Sequence, residues 1–162
     1  MNEVLDVCCG GRMFYFQKNA ENMIYGDMHI RPKGCIEQQK NFTVMPDVVF
    51  DFRNLPFQDD VFNLVVFDPP HVSNLSLNSI TGKKYGSLNK ETWKEDLKTG
   101  FDECYRVLKK GGTLIFKWNE VQVTIREVLD LFEIKPLFGH TTAKSGKTKW
   151  MCFYKEMWQA EG

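Results

Sequence analysis

The sequence predicts an α/β protein: a doubly wound, mostly parallel sheet of seven strands with an antiparallel C-terminal hairpin strand. Three observations predict it. Short apolar runs recur through the first seventy residues, and each stops at an aspartate or a glycine turn. Strand-like and helix-like periods then alternate, which in a compact chain means crossovers between parallel strands. At the end, two apolar runs flank a polar, glycine-containing connection, the sign of a hairpin.

The elements follow in order. Glu3-Val4-Leu5-Asp6-Val7-Cys8 stops at Gly10-Gly11, as a buried parallel strand feeding a tight turn does. Phe14, Tyr15 and Phe16 open a short helical segment. Met23-Ile24-Tyr25 is a second strand ending at Gly26-Asp27, and 30–46, weakly periodic, is a short or irregular crossover. Val48-Val49-Phe50 ends at Asp51, and Phe62 to Phe67, nearly all apolar, ends at Asp68. Residues 72–88, rich in Ser, Asn, Gly and Lys, form a long loop. The clearest helix follows: Asn89 caps it, and Trp93, Leu97, Phe101, Cys104/Tyr105 and Leu108 make one apolar stripe. Lys109-Lys110 suit its negative end and Gly111-Gly112 stop it. Thr113 to Trp118 is a fifth strand. Val121, Ile125, Val128, Leu129 and Phe132 mark another amphipathic helix. Ile134–Phe138 and Lys149–Tyr154 are the last two strands, joined through 142–147.

Size and composition narrow the function classes. The 162 residues suit one domain spanning 1–162, with 43% hydrophobic and 26% charged residues, as in an ordinary globular protein. No apolar run is long enough to span a bilayer and no signal-type segment opens the chain, so no membrane association is expected. Five cysteines without a CxxC pair make neither a disulfide framework nor a zinc site, which favours a cytoplasmic location. His29 and His140 stand alone, so no metal is expected. The formal net charge is zero, but Lys135, Lys144, Lys147, Lys149 and Lys155 fall in an acid-free stretch. This is either a basic contact face or a solvated hairpin.

In a parallel sheet of this type, ligands bind beyond the carboxyl ends of the strands. Four strands end there in carboxylates: Asp6, Asp27, Asp51 and Asp68. Each alone is a common strand-ending residue. Together they describe a pocket, because buried carboxylates are costly without partners. Asp27 follows Asp6 by 21 positions, a spacing that also serves ribose recognition in dinucleotide enzymes. The glycine pattern argues against those: Cys8-Cys9-Gly10-Gly11 lacks the three spaced glycines that a pyrophosphate requires. A cofactor without phosphates needs only the room that Gly10 and Gly11 leave.

The combination of Val4-Leu5-Asp6-Val7-Cys8-Cys9-Gly10-Gly11, Asp27, Asp51-Phe52-Arg53-Asn54-Leu55-Pro56-Phe57, Asp68-Pro69-Pro70-His71 and Leu108-Lys109-Lys110-Gly111-Gly112-Thr113-Leu114 resembles class I S-adenosylmethionine-dependent methyltransferases over nearly the whole chain. The resemblance implies a Rossmann-like methyltransferase domain. Asp-Pro-Pro-His is similar to the Asp/Asn-Pro-Pro-aromatic motif of amino-methyltransferases, including small phage-type DNA enzymes. Two positions depart from the pattern: Cys8 replaces the first glycine of the turn, and His71 replaces Tyr, Phe or Trp.

The resemblance implies S-adenosyl-L-methionine as cofactor. Asp27 would accept from both ribose hydroxyls. Asp51 would accept from the adenine amino group, with Phe52 beside the ring. Asp6, Cys8 and Gly10 would face the methionine end. Asp68 and the Pro69 carbonyl would accept from an exocyclic amine, with Pro70 fixing the turn and His71 lying against the target ring. Adenine N6 in DNA is the expected target, contacted through Lys83, Lys84 and the 135–155 hairpin. RNA, protein-glutamine or small-molecule methylation, and a non-catalytic binding module of the same fold, are the alternatives.

Overall fold

The computed structural model describes residues 2–76, 78–140 and 146–157. The connection expected at 142–147 falls largely outside them, as do Lys144 and Trp158. Seven strands form one sheet in the order β3-β2-β1-β4-β5-β7-β6. They are β1 (Val4–Asp6), β2 (Met23–Asp27), β3 (Val48–Val49), β4 (Phe62–Phe67), β5 (Leu108–Asn119), β6 (Phe138–Gly139) and β7 (Thr148–Tyr154). The first five are mutually parallel, and β7 runs antiparallel to both β5 and β6. The order reverses beside β1, between β1 and β4, so the ends of these strands open a crevice where a ligand can sit.

Among the described residues, three α-helices accompany the sheet: α1 (Ile80–Tyr85), α2 (Trp93–Val107) and α3 (Ile125–Leu129). α2 buries Leu97, Phe101 and Cys104 of the expected stripe, together with Gly100 and Val107, while Trp93 and Tyr105 are half-buried and Leu108 belongs to β5. Phe101 stacks on Phe132 at 4.0 Å and meets Phe153 edge-on at 4.8 Å, and Phe116 and Trp118 extend this aromatic core along β5. Over β1 to β3 the cover is thinner. Among the described residues, turns, one 3-10 turn at Glu37–Gln39 and an isolated antiparallel bridge between Arg31 and Val44 connect these strands, with no α-helix.

Several sequence expectations are corrected. Phe14 to Phe16 form no helix. Arg12, at φ 53°, turns the chain, and its guanidinium donates to Lys18 O, Asn19 Oδ1 and Met45 O, which fastens the segment as a loop. Asn89 does not cap α2 directly. Its Oδ1 accepts from Glu91 N at 2.8 Å in the preceding turn, and the regular helix begins after Thr92. α2 also ends earlier than Gly111-Gly112 suggested. Leu108 is already extended, and the Lys155 ammonium, just past the end of the neighbouring strand β7, donates to the Tyr105 and Leu108 carbonyls at 2.9 and 2.6 Å. Lys109-Lys110-Gly111-Gly112 instead bulge out of β5, between the Phe62–Leu108 and Leu64–Thr113 pairs, with Gly111 at φ 78°. The second amphipathic helix shortens to α3, because the Thr124–Glu127 capping box starts it past Val121. The strand expected at Ile134–Phe138 reduces to Phe138–Gly139.

Candidate active site

A cavity of about 640 Å³ opens at the carboxyl ends of β1, β2, β4 and β5. Its walls include the Cys8–Gly11 turn, Asp27, Asp68-Pro69-Pro70-His71, Lys117 and Asn119. The volume lies within the range of about 300–1,000 Å³ typical of small-molecule and cofactor sites.

One half is built by the first two strands. Gly10, at φ 48°, has no atom within 4 Å of where a Cβ would stand, so the turn leaves open space that only glycine leaves without strain. Gly10 N donates to Asp27 Oδ2 at 2.9 Å, and His29 N donates to Asp27 Oδ1 at 2.9 Å. These bonds fix the Asp27 carboxylate on the cavity wall. Of its roughly four lone-pair directions, about two stay free for a ligand. Asp6 sits behind this wall, fully buried, accepting from Tyr15 Oη at 2.8 Å and from Cys8 N at 3.2 Å. Burial pushes its pKa up to about 7, and the charges of Asp68 and Asp27 add to that, against the two hydrogen bonds. Cys8 lines the cavity, and burial pushes its thiol well above the ordinary range, which disfavours the thiolate that a nucleophile needs.

At the third strand, Asp51 is engaged by Arg53, whose Nε and Nη2 reach the carboxylate at 3.0 and 2.6 Å and hold its pKa below the usual range. Arg53 Nη1 also donates to Asp96 Oδ1 at 3.0 Å. Phe52, Arg53 and Asp96 line the cavity, and Asp51 stands just outside it. Phe52 is buried against Gly100 of α2, where a Cβ would fall 2.5 Å from its ring.

The opposite half centres on Asp68. Lys117 Nζ donates to its Oδ2 at 2.8 Å. His71 Nε2 lies 3.2 Å from Oδ1, out of line for a hydrogen bond, so Oδ1 is buried without a hydrogen-bond partner. The His71 ring stands edge-on to Trp118 at 5.1 Å. The Lys117 ammonium lies 5.3 Å over the Phe14 ring and 5.8 Å over Trp150.

The segment 72–88, expected as a loop, supplies a roof. Ser79 Oγ caps α1 by accepting from Gly82 N at 3.0 Å. Arg31 Nε donates to the Lys83 carbonyl at 3.0 Å, and the Lys84 ammonium lies 5.1 Å over Phe42, which ties α1 to the 31–42 segment. Gly86, at φ 73°, passes close to Pro70. Lys83 and Lys84 line the cavity mouth. In the C-terminal stretch, Lys135 caps carbonyls of Leu129 and Phe132, Lys155 caps α2 and Lys149 is buried, while Lys147 is exposed.

The structure therefore brings Cys8, Gly10, Asp27, Phe52, Asp68, Pro69, Pro70 and His71 to one cavity, with Asp6 and Asp51 just behind its wall. Sequence reasoning passed over Lys117, Asn119, Arg31 and Asp96. The strand-end rule that selected Asp68 also reaches Lys117 and Asn119, which close β5.

No family model matches the chain, and no curated protein matches it. Solved structures do. The PH0226 protein from Pyrococcus horikoshii OT3 superposes with a TM-score of 0.63 at 15% identity, covering 95% of this chain and 82% of its own. A TehB-like S-adenosylmethionine-dependent methyltransferase from Corynebacterium glutamicum gives 0.55 at 13%, covering 96% and 80%. A geranyl diphosphate C-methyltransferase from Streptomyces coelicolor A3(2), solved with S-adenosyl-L-homocysteine, gives 0.56 at 10%, covering 96% and 71%. The chain has the Rossmann-like fold of class I S-adenosylmethionine-dependent methyltransferases.

Proposed function

We propose that the protein is a methyltransferase that moves a methyl group from S-adenosyl-L-methionine to an exocyclic amino group, with adenine N6 in DNA the favoured target. The observation that carries this reading is Asp68 Oδ1: a buried carboxylate oxygen with no hydrogen-bond partner, 3.2 Å from His71 Nε2, on a residue that lines the cavity next to Pro69-Pro70.

The residues of the β1–β2 half fit the cofactor. Gly10 leaves room over the turn, Asp27 offers fixed acceptors for ribose hydroxyls, and the Asp6, Asp27 and Asp68 carboxylates favour a cation nearby. When bound, S-adenosylmethionine supplies an electrophilic methyl group on a sulfonium. Asp68 accepts a hydrogen from the amine, which withdraws the nitrogen lone pair from ring conjugation and aims it into the cavity. On transfer, the S–C electron pair would stay with the departing thioether, and Asp68 would take the proton that the methylated amine gives up and pass it to solvent. Pro69 and Pro70 stiffen the turn that holds this geometry. His71 is the platform for the target ring. Lys83 and Lys84, at the mouth, suit phosphates of a nucleic acid.

A second reading, a small-molecule amine as acceptor, is favoured by the α1 roof, under which a base must leave its duplex to enter. The unpaired thiols suit a reducing cytoplasm, and no helix among the described residues is long and apolar enough to cross a membrane. The test is incubation with radiolabelled methyl donor and DNA, RNA or a small-molecule fraction of cell extract. Label on adenine N6 supports the reading. Label on a carbon or oxygen, or none in any fraction, refutes it.

A further inference from the structure

Among the described residues, three buried side-chain polar atoms have no hydrogen-bond partner: Asp68 Oδ1, His71 Nδ1 and Asn119 Oδ1. Their residues come from the ends of two adjacent strands, and all three line the same cavity. Buried polar atoms are nearly always paired in folded proteins, so three orphans in one cavity mark the place where a ligand completes them.

Two of the orphans are oxygens that can only accept. Asp68 presents a single oxygen for hydrogen bonding because Lys117 Nζ takes Oδ2 at 2.8 Å, while His71 Nε2 stands 3.2 Å from Oδ1 out of hydrogen-bond alignment; the Phe14 and Trp150 rings flank the ammonium. Lys117 pairs with Trp150 across β5 and β7, so its backbone is fixed by the sheet. Asn119 is held from the other side: its Nδ2 donates to Thr148 Oγ1 at 3.3 Å, and its carbonyl oxygen is the end left over. A group that satisfies two acceptors must bring two hydrogens. A primary amino group has two, a hydroxyl one, and a methylated amine only one.

We propose that Asp68 Oδ1 and Asn119 Oδ1 together receive the two hydrogens of a nucleobase amino group, with Asn119 as a specificity-determining residue and Lys117 as the positioning residue that leaves Asp68 one free oxygen. This rests on the reading of the cavity as the acceptor site of an amino-methyltransferase; it puts the Asn119 oxygen in the place that the resemblance gives to the Pro69 carbonyl, and sets Lys117 behind Asp68. It also sets the outcome of the reaction. Methylation replaces one N–H by N–CH3, the hydrogen leaving as a proton, so the product satisfies only one of the two oxygens. The product binds more weakly than the substrate, and transfer stops at one methyl group.

The experiment is binding of short single-stranded oligodeoxynucleotides to protein saturated with S-adenosylhomocysteine. One strand carries adenine at a single position; the others carry purine, which lacks the amino group, or N6-methyladenine. The wild type should prefer adenine over purine by about tenfold or more, the effect of leaving buried acceptors unpaired. Asn119→Ala and Lys117→Met should bring that ratio close to one, with S-adenosylhomocysteine affinity within about twofold of wild type. Lys117→Arg keeps a cation on Oδ2 and should retain more of the preference than Lys117→Met, a rescue that loss of packing alone does not produce. Equal binding of all strands by the wild type, or binding of none, overturns the inference. A preference that survives in Asn119→Ala removes Asn119 from the site, and one that survives in Lys117→Met removes Lys117. Methyl transfer is scored separately: label appearing on an amine despite equal binding leaves the proposed function standing and this inference refuted.

Discussion

Asp6→Asn is the most direct test of the electrostatics beneath the cavity. Asp6 is fully buried, and its pKa rises from 3.8 to about 7, first through burial and then through Asp68 and Asp27. Because the folded value lies above the unfolded one, the native state alone holds the proton between the two. Stability from this group is therefore greatest below pH 4, falls as pH rises through that window, and levels off above about 7. At about 1.4 kcal/mol per pH unit the window spans a ceiling of about 4 kcal/mol. Asparagine is nearly isosteric: its oxygen can accept from Cys8 N, and its amide can donate to the Tyr15 hydroxyl, which now accepts. Urea unfolding at pH 5, 6, 7 and 8 should show the variant gaining on the wild type by about 2–3 kcal/mol across the series. The same charge bears on the cofactor. A sulfonium cation favours ionised Asp6, so the affinity ratio of S-adenosylmethionine to S-adenosylhomocysteine should rise through about pH 7 in the wild type and stay level in the variant. Parallel stability profiles for the two proteins would refute the account of Asp6.

Asp68→Ala should slow single-turnover methyl transfer by about a hundredfold or more, with cofactor affinity within a few-fold, and Asp68→Asn should lose less; transfer at the parent rate reduces Asp-Pro-Pro-His to a turn. His71→Phe should retain activity, because the ring serves as a platform; loss of transfer in that variant, with cofactor affinity kept, refutes the platform role and assigns a proton to the imidazole. Asp27→Ala should weaken binding of both cofactor forms by about 1.5–3 kcal/mol in calorimetry, and should also lower the melting midpoint because Gly10 N and His29 N lose their acceptor. If nucleic acid is the acceptor, replacing Lys83 and Lys84 by Ala should reduce the slope of log affinity against log salt by about 2; an unchanged slope removes them from the phosphate contact.

What the sequence determined by itself is local. Each of β1 to β4 is a short apolar run whose end is marked by an aspartate or a glycine turn, and a strand's end fixes where its last side chain stands in a parallel sheet. That is why Asp27 and Asp68-Pro69-Pro70-His71 could be placed on one rim from their spacing, and why the stripe of Leu97, Phe101 and Cys104 marked α2. The tertiary structure decided which of these carboxylates is free. Asp51 is engaged by Arg53, Asp6 is covered by Tyr15, and Asp68 loses one oxygen to Lys117, 49 residues away. It also decided where α2 stops, through Lys155 at the end of the neighbouring strand and 47 residues from Leu108 in sequence, and that α1 closes over the cavity, fastened by Arg31. Apolar periodicity is written along the chain because each strand or helix buries its own face. The pairing of a buried polar atom depends on whichever residue the strand order sets beside it, and no local pattern encodes that neighbour.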